Sequence, residues 1–289
     1  MKGASPNIDR LSKEGIWFTQ CYANSFRTDR GTICTFSGYQ SFPDLSVMKI
    51  PAKSRTLPSI AGKLAKEGYH TDFLYGGDIN FTNMKSYLLE SGYQNLTADT
   101  DFPMSQHQNA WGVNDDITFD HLYQMIKDRR DSPWHTAFLT LSSHEPFEVP
   151  YHRLKEKQPN AFAFTDHCLG EFVERIRKTP VWNNLLIVCL PDHGFYYPAE
   201  GNGHDARIHH IPMLWLGGAV KQPMVINQVM NQSDLAATLL AQLGIDHSEF
   251  NFSRNILSTA YTYPFAYWTF GHLEEVCICR QHRSNISRH

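Results

Sequence analysis

The sequence predicts a three-layer α/β domain built on a mostly parallel central sheet, and three observations lead there. Segments of helical periodicity alternate with short apolar runs, two of those runs end in polar, catalytic-type residues, and 289 residues at 42% hydrophobic composition suffice for one sizeable core. The first helix starts near Ser5-Pro6-Asn7-Ile8-Asp9-Arg10-Leu11, with Ser5 as its cap and Pro6 in its first turn. Residues 56–67 carry the next helical period and Gly68 ends it. His70-Thr71-Asp72-Phe73-Leu74-Tyr75 then reads as a strand running into Gly76-Gly77. A strand over 136–141, a helix over 161–177 and a strand over 185–190 follow. A strand over 213–216 and a helix over 233–242, closed by Gly244, complete the alternation. Residues 1–270 form one domain, and the tail 271–289, with Cys277-Ile278-Cys279 and scattered Arg and His, is expected to be irregular or disordered.

Composition narrows the function classes. A formal charge of -3 offers no broad basic field, which disfavours nucleic-acid binding while leaving local arginines free to hold a phosphate. The six cysteines stand at 21, 34, 168, 189, 277 and 279 without CxxC spacing, so they read as small apolar packing residues. No run reaches the roughly 18 apolar residues of a membrane span, and no signal-peptide core follows Met1. The chain therefore reads as soluble, with any membrane association left to parts outside it.

Two segments carry the chemistry. Thr28 stands in Arg27-Thr28-Asp29-Arg30-Gly31, where a hydroxyl among arginines suits attack on an anionic phosphoester. Asp192 and His193, in Pro191-Asp192-His193-Gly194 at the end of an apolar strand, supply mixed oxygen and nitrogen ligands for a divalent ion. Ligands of open α/β sheets sit beyond the carboxyl ends of strands, so Ser142-Ser143-His144 and Asp192-His193 are expected to face one crevice. Arg27 or Arg30 would neutralise phosphate oxygens, the bland alternative being an ion pair with Asp29. His204, in Gly201-Asn202-Gly203-His204-Asp205, is placed to enter the pocket from a loop. His209 and His210 would face opposite sides of a strand, or lie in a surface turn before Met213. Trp111 reads as a pocket wall.

These words, in this order, resemble the extracytoplasmic domain of the lipoteichoic acid synthase group, phosphoglycerol transferases of the alkaline phosphatase and sulfatase superfamily. The resemblance rests on Ser5-Pro6-Asn7-Ile8-Asp9, the Thr28 turn, Trp111-Gly112-Val113, Leu141-Ser142-Ser143-His144-Glu145-Pro146-Phe147, Asp192-His193-Gly194 and Ile211-Pro212-Met213-Leu214-Trp215. It implies that Thr28 is the nucleophile and a metal ligand together with Asp192 and His193, since an alcohol is almost fully protonated at neutral pH unless an ion stabilises its alkoxide. It further implies a phosphothreonine intermediate, His144 in the substrate pocket, and manganese as the ion, although the donor set alone also tolerates zinc or magnesium. The substrate is then a phospholipid-derived or glycan molecule, and the full-length parent works at the extracytoplasmic face of a bacterial membrane, modifying an envelope polymer or glycan.

Two departures qualify this expectation. The synthases place their first acidic metal ligand on a strand preceding the helix at Ser5, a position that the sequence does not reach; the metal site is then one carboxylate short and strand edges in the sheet are left unpaired. Phe81-Thr82-Asn83-Met84 falls where the synthases hold glycerol phosphate with a tryptophan and an arginine, so the head group is open, with Asp78 in the Asp78-Ile79-Asn80 loop helping to select it. The alternatives are a sulfatase, for which the C/S-x-P-x-R word is absent around Thr28, a phosphodiester hydrolase, or an inactive fragment.

Overall fold

The computed structural model describes residues 3–130, 133–197, 203–270 and the strand at 275–280. In chain order the strands are β1 (Ile16–Tyr22), β2 (His70–Tyr75), β3 (Asn95–Thr97), β4 (His107–Asn109), β5 (Gly112–Val113), β6 (Trp134–Leu139), β7 (Ile187–Cys189), β8 (His210–Leu216), β9 (Met224–Ile226), β10 (Met230–Asn231), β11 (Phe265–Phe270) and β12 (Glu275–Arg280). The helices are α1 (Pro6–Leu11), α2 (Thr28–Ser37), α3 (Pro51–Ser54), α4 (Ile60–Lys66), α5 (Met84–Glu90), α6 (Asp115–Ile126), α7 (Lys157–Ile176), α8 (Ala206–His209) and α9 (Leu235–Gln242).

Side chains of a strand alternate between its faces, and here that alternation makes three layers. Leu74 of β2 and Leu214 and Leu216 of β8 face a core with Phe119 and Leu122 of α6 and Phe172, Val173 and Ile176 of α7. Met213 and Trp215 of β8 and Phe18 of β1 point the other way, onto Leu235, Leu239 and Leu240 of α9. Phe73 of β2 does the same against Ile33 of α2 and Tyr87 and Leu88 of α5.

The sheet lies in two parts. One part is parallel, β3-β2-β6, with β2 and β6 in register from His70 opposite Trp134 to Tyr75 opposite Leu139. In the other, β1 has β9 and β10 parallel on one side and β8 antiparallel on the other, and β8 pairs antiparallel with β7. Among the described strands β6 pairs with β2 alone and β7 with β8 alone. Phe138 of β6 and Ile187 and Cys189 of β7 nonetheless pack on the same α6–α7 core. β6 and β7 are thus edge strands among the described residues.

Element boundaries moved for identifiable reasons. The helix expected over 56–67 starts at Ile60, because Pro58 disfavours helix in the residue before it and Ser59 caps, its hydroxyl accepting from Gly62 N at 2.9 Å. The helix expected from 161 starts at Lys157, with Pro159 tolerated inside its first turn. Ser5 makes no side-chain cap on α1. Asp166 of α7 does that work, accepting from Asn7 N at 2.9 Å and Ile8 N at 2.8 Å, which fastens the short helix to the α7 layer.

The tail expected to be irregular contains a strand. β12 pairs antiparallel with β11, from Phe270 opposite Glu275 to Phe265 opposite Arg280. Val276 and Ile278 alternate with cysteines there, a two-residue period with β-branched residues that an available neighbouring edge converts into a strand. Residues 271–274 and 281–289 of the tail lie outside the described residues.

Candidate active site

Helix α2 begins at Thr28 because Arg27, extended at φ -142° and ψ 144°, turns the chain out of β1, and it ends at Gly38 in the left-handed region. Thr28 is thus the first residue of a ten-residue helix, at the end where free amides and the helix dipole favour an anion. The two arginines beside it separate into different roles. Arg27 Nε lies 3.6 Å from Asp29, which is buried and also 3.8 Å from Lys49 Nζ. Arg30 Nε and Nη1, by contrast, are buried without a hydrogen-bond partner, and the guanidinium sits over the Phe26 ring at 5.1 Å. Burial draws the Arg30 pKa down from its ordinary value, with Asp29 pulling it back up. Two buried guanidinium nitrogens without a hydrogen-bond partner, two residues along the helix from Thr28, are donors an anion could satisfy.

The Asp192 loop is pressed onto this turn. A Cβ at Gly31 would come within 1.8 Å of the Asp192 carbonyl oxygen, so only glycine permits the approach. Gln232, fully buried, donates from Nε2 to Pro191 O at 3.0 Å and Asp192 O at 2.6 Å and holds the loop from behind. His193 Nδ1–H donates to Gly194 O at 2.7 Å, which leaves the Nε2 lone pair available.

Tyr75 closes β2, opposite Leu139 of β6. Burial raises its phenol pKa, and the negative charges of Asp192, Asp78, Asp99 and Asp115 around it push the same way. His144 follows β6 on an exposed loop, its Nδ1–H donating to Glu145 O at 2.8 Å and its ring edge-on to Trp111 at 5.0 Å. Trp111 in turn meets Phe81 at 6.5 Å, and both rings are about half exposed. Phe147 of the His144 loop contacts Phe195 of the Asp192 loop at 6.0 Å. The Asp192 loop thus touches the Thr28 turn at Gly31 and the His144 loop at Phe147.

The remaining expected site residues stand further from that line. Asp78 is exposed, and its Oδ1 accepts from Asn80 N at 2.8 Å and Asn80 Nδ2 at 3.0 Å, so it shapes its own loop. His204 packs edge-on to Phe270 at 4.4 Å. Gly201 and Asn202 of its loop lie outside the described residues. His209 and His210 do face opposite ways, but His209 closes the short helix α8 and is buried instead of lying in a surface turn. His209 stacks on Trp268 at 5.0 Å and burial pushes its imidazole down to about 4, whereas His210 is exposed with Nε2 2.7 Å from Thr19 O.

Asp192 Oδ2 and His193 Nε2 lie 3.7 Å apart. Two ligand atoms sharing one tetrahedral ion at about 2.1 Å are separated by roughly 3.4 Å, so this pair fits as neighbouring ligands. No group of three or more His, Cys, Asp or Glu side chains is gathered as an ion would need among the described residues. The pair is a half-set of ligands. Asp115, Tyr75 and Gln232 were not anticipated from the sequence: Asp115 looks like ordinary acidic preference in a first helical turn, and nothing local marks the other two.

The fold and this crevice define a class, and comparison with known proteins agrees: the chain belongs to the sulfatase family, whose model matches residues 2–245. Phosphoglycerol transferase I of Xanthomonas campestris pv. campestris (strain B100) is 24% identical over 212 residues, covering 68% of this chain and 30% of that protein. Phosphoglycerol transferase I of Salmonella choleraesuis (strain SC-B67) is 22% identical over 275 residues, 88% of this chain and 36% of that protein. The chain thus spans about a third of the length of these relatives. A protein of the alkaline phosphatase superfamily from Vibrio parahaemolyticus superposes with TM-score 0.83 at 26% identity, covering 99% of this chain and 73% of that one. The lipoteichoic acid synthase LtaP from Listeria monocytogenes gives the same score at 17% identity, over 92% and 72% of the two chains. Among the described residues no helix is long and apolar enough to cross a membrane.

Proposed function

We propose that the chain is the catalytic core of an extracytoplasmic phosphotransferase that moves a phosphoglycerol-type head group from a phospholipid to an acceptor hydroxyl through a covalent phosphothreonine. The observation that carries this reading is the Thr28 turn: a hydroxyl at a helix start, two residues from the unpartnered Arg30 nitrogens, with the Asp192 loop packed against Gly31. The phosphoglycerol transferases among the relatives supply the head group, and the extracytoplasmic placement follows a neighbour described as the C-terminal periplasmic domain of EcEptC from Escherichia coli.

A divalent ion, manganese by the family resemblance, would be held by Asp192, His193 and the Thr28 hydroxyl and would supply charge neutralisation and nucleophile activation when bound. Arg30 and the α2 amides bind the non-bridging phosphate oxygens. Thr28 Oγ bonds to phosphorus as the bond to the diacylglycerol oxygen breaks, and the Thr28 proton passes to water. The departing oxygen takes its proton by way of His144 Nε2. In the second half an acceptor hydroxyl attacks phosphorus, returns a proton to His144, and releases Thr28, which regains its own proton from water. The exposed Phe81 and Trp111 rings stand in a row beside His144.

Incubation with phosphatidylglycerol and manganese is expected to release diacylglycerol and to add one phosphoglycerol increment to the Thr28 peptide, read by intact and peptide mass spectrometry. Free glycerol phosphate without an adduct would mean a hydrolase. A second reading, a catalytically incomplete chain, is favoured by the half-set of metal ligands among the described residues. It predicts neither diacylglycerol nor adduct under the same conditions.

Arg30→Ala should raise KM for the lipid about tenfold to a hundredfold, the loss of one or two charge-assisted hydrogen bonds. Arg27→Ala, whose guanidinium is paired with Asp29, should change KM less than about threefold. Steady-state kinetics of the two variants side by side checks the division of labour, and equal effects would sink it.

A further inference from the structure

The carboxylate of Asp115 is fully buried, yet the groups that it binds all lead back to the crevice. Its Oδ1 accepts from Leu141 N at 2.8 Å and Ser142 N at 3.1 Å, the two amides at the root of the His144 loop. Its Oδ2 accepts from Thr165 Oγ1 of α7 at 2.6 Å, and its own N–H donates to Ser142 Oγ at 2.8 Å. The loop then closes on itself, with His144 N donating to Leu141 O at 3.0 Å. The Trp111 side of the crevice hangs from the same point: Asn109 Oδ1 accepts from Trp111 N at 2.7 Å and Gly112 N at 3.0 Å, and Asn109 Nδ2 donates to Asn114 Oδ1 at 2.6 Å, next to Asp115.

We propose that Asp115 is the positioning residue for His144: it anchors, from inside the core, the loop that carries the imidazole, while Asn114 beside it holds the turn that carries the Trp111 ring against which the imidazole rests. This rests on the phosphotransfer reading, in which His144 handles the proton of the departing oxygen. Burying a carboxylate is costly unless several donors satisfy it, and here three donors do so while joining β6, α6 and α7 at one atom group. His144 is exposed and makes its ring contact with Trp111, so its position depends on where its loop root and that ring are held. Fixing a proton-transfer group to within a fraction of an ångström is the kind of task for which such a support is needed.

The test is a double-mutant cycle on the full chain, with phosphatidylglycerol as the probe and diacylglycerol release as the readout. Asp115→Ala is expected to lower kcat about a hundredfold with KM within about threefold of the parent, and Asp115→Asn, which keeps an acceptor for the two amides, about tenfold or less. In a His144→Ala background either substitution should lower kcat less than about twofold further. An undiminished effect in that background, or a loss confined to KM, would overturn the proposal. If Asp115→Ala does not fold by circular dichroism, the Asp115→Asn arm of the cycle decides. A second readout needs no turnover: the imidazole resonances of His144, assigned by their loss in His144→Ala, should shift in Asp115→Asn. Unmoved resonances refute the link between the two residues, whereas a parent chain without diacylglycerol release refutes the phosphotransfer reading and leaves the resonance test to decide the positioning role.

Discussion

Thr28→Ala is expected to abolish adduct formation and to lower diacylglycerol release by at least about 10³-fold, the scale on which removing a nucleophile acts. The same substitution should leave folding nearly untouched. Thr28 is the first residue of α2, half-buried, and the helix takes its N-cap geometry from Arg27 without any side-chain cap. A change in melting temperature of less than about 2 °C is the expected control, as for a surface substitution worth less than about 0.5 kcal/mol. Thr28→Ser, which keeps the hydroxyl at the same helix end, should retain measurable turnover and the adduct. An alanine variant that keeps more than about a tenth of parental activity would remove Thr28 from the mechanism.

The largest stability effect should come from Arg254→Ala. Asp234 is wholly buried, and its carboxylate accepts from Asn231 N at 2.8 Å and from Arg254 N and Nε, each at 2.9 Å. Arg254 Nη2 reaches on to Phe265 O at 2.9 Å, and the guanidinium lies over the Phe265 ring at 4.0 Å, so one side chain joins the start of α9 to β11. Removing it strands a buried carboxylate, which costs about 3–5 kcal/mol, or roughly 10 °C in melting temperature for a domain of this size. The pH dependence carries a sign. Burial raises the Asp234 carboxyl pKa, and loss of Arg254 removes the main opposing pull, so the folded variant takes up a proton that the unfolded chain releases. Its deficit should therefore shrink as the pH is lowered through the mildly acid range, measured by thermal melts of variant against parent. A deficit that grows on acidification, or a loss below about 1 kcal/mol, would contradict the account.

Much of the fold was legible in the sequence. His70–Tyr75 was bounded correctly at both ends because a β-rich run there is bracketed by Gly68 and Gly76-Gly77. Helix starts were less legible, since the expected Ser5 cap is replaced by Asp166, some 160 residues away, and no local pattern reports such a partner. The strand at Glu275–Arg280 was missed for a related reason: a short period-two run becomes a strand only when a neighbouring edge pairs with it. In the site, Thr28, Asp192, His193 and His144 were legible as chemistry-bearing residue types in short local words. The choice between Arg27 and Arg30 was not, because it depends on which guanidinium finds Asp29.

The sequence by itself determined the class of protein, the alternation that makes three layers, and the short words in which the proposed site residues stand, because periodicity and functional groups are properties of short stretches of chain. The tertiary structure decided which of those segments touch, which arginine keeps two nitrogens without a hydrogen-bond partner, and which buried groups hold the Asp192 and His144 loops. Gly31 against Asp192, Gln232 behind Pro191 and Asp115 beneath Leu141 are contacts between residues 26 to 161 positions apart. Their energies arise from close approach and from exclusion of water, and neither exists until the chain has packed.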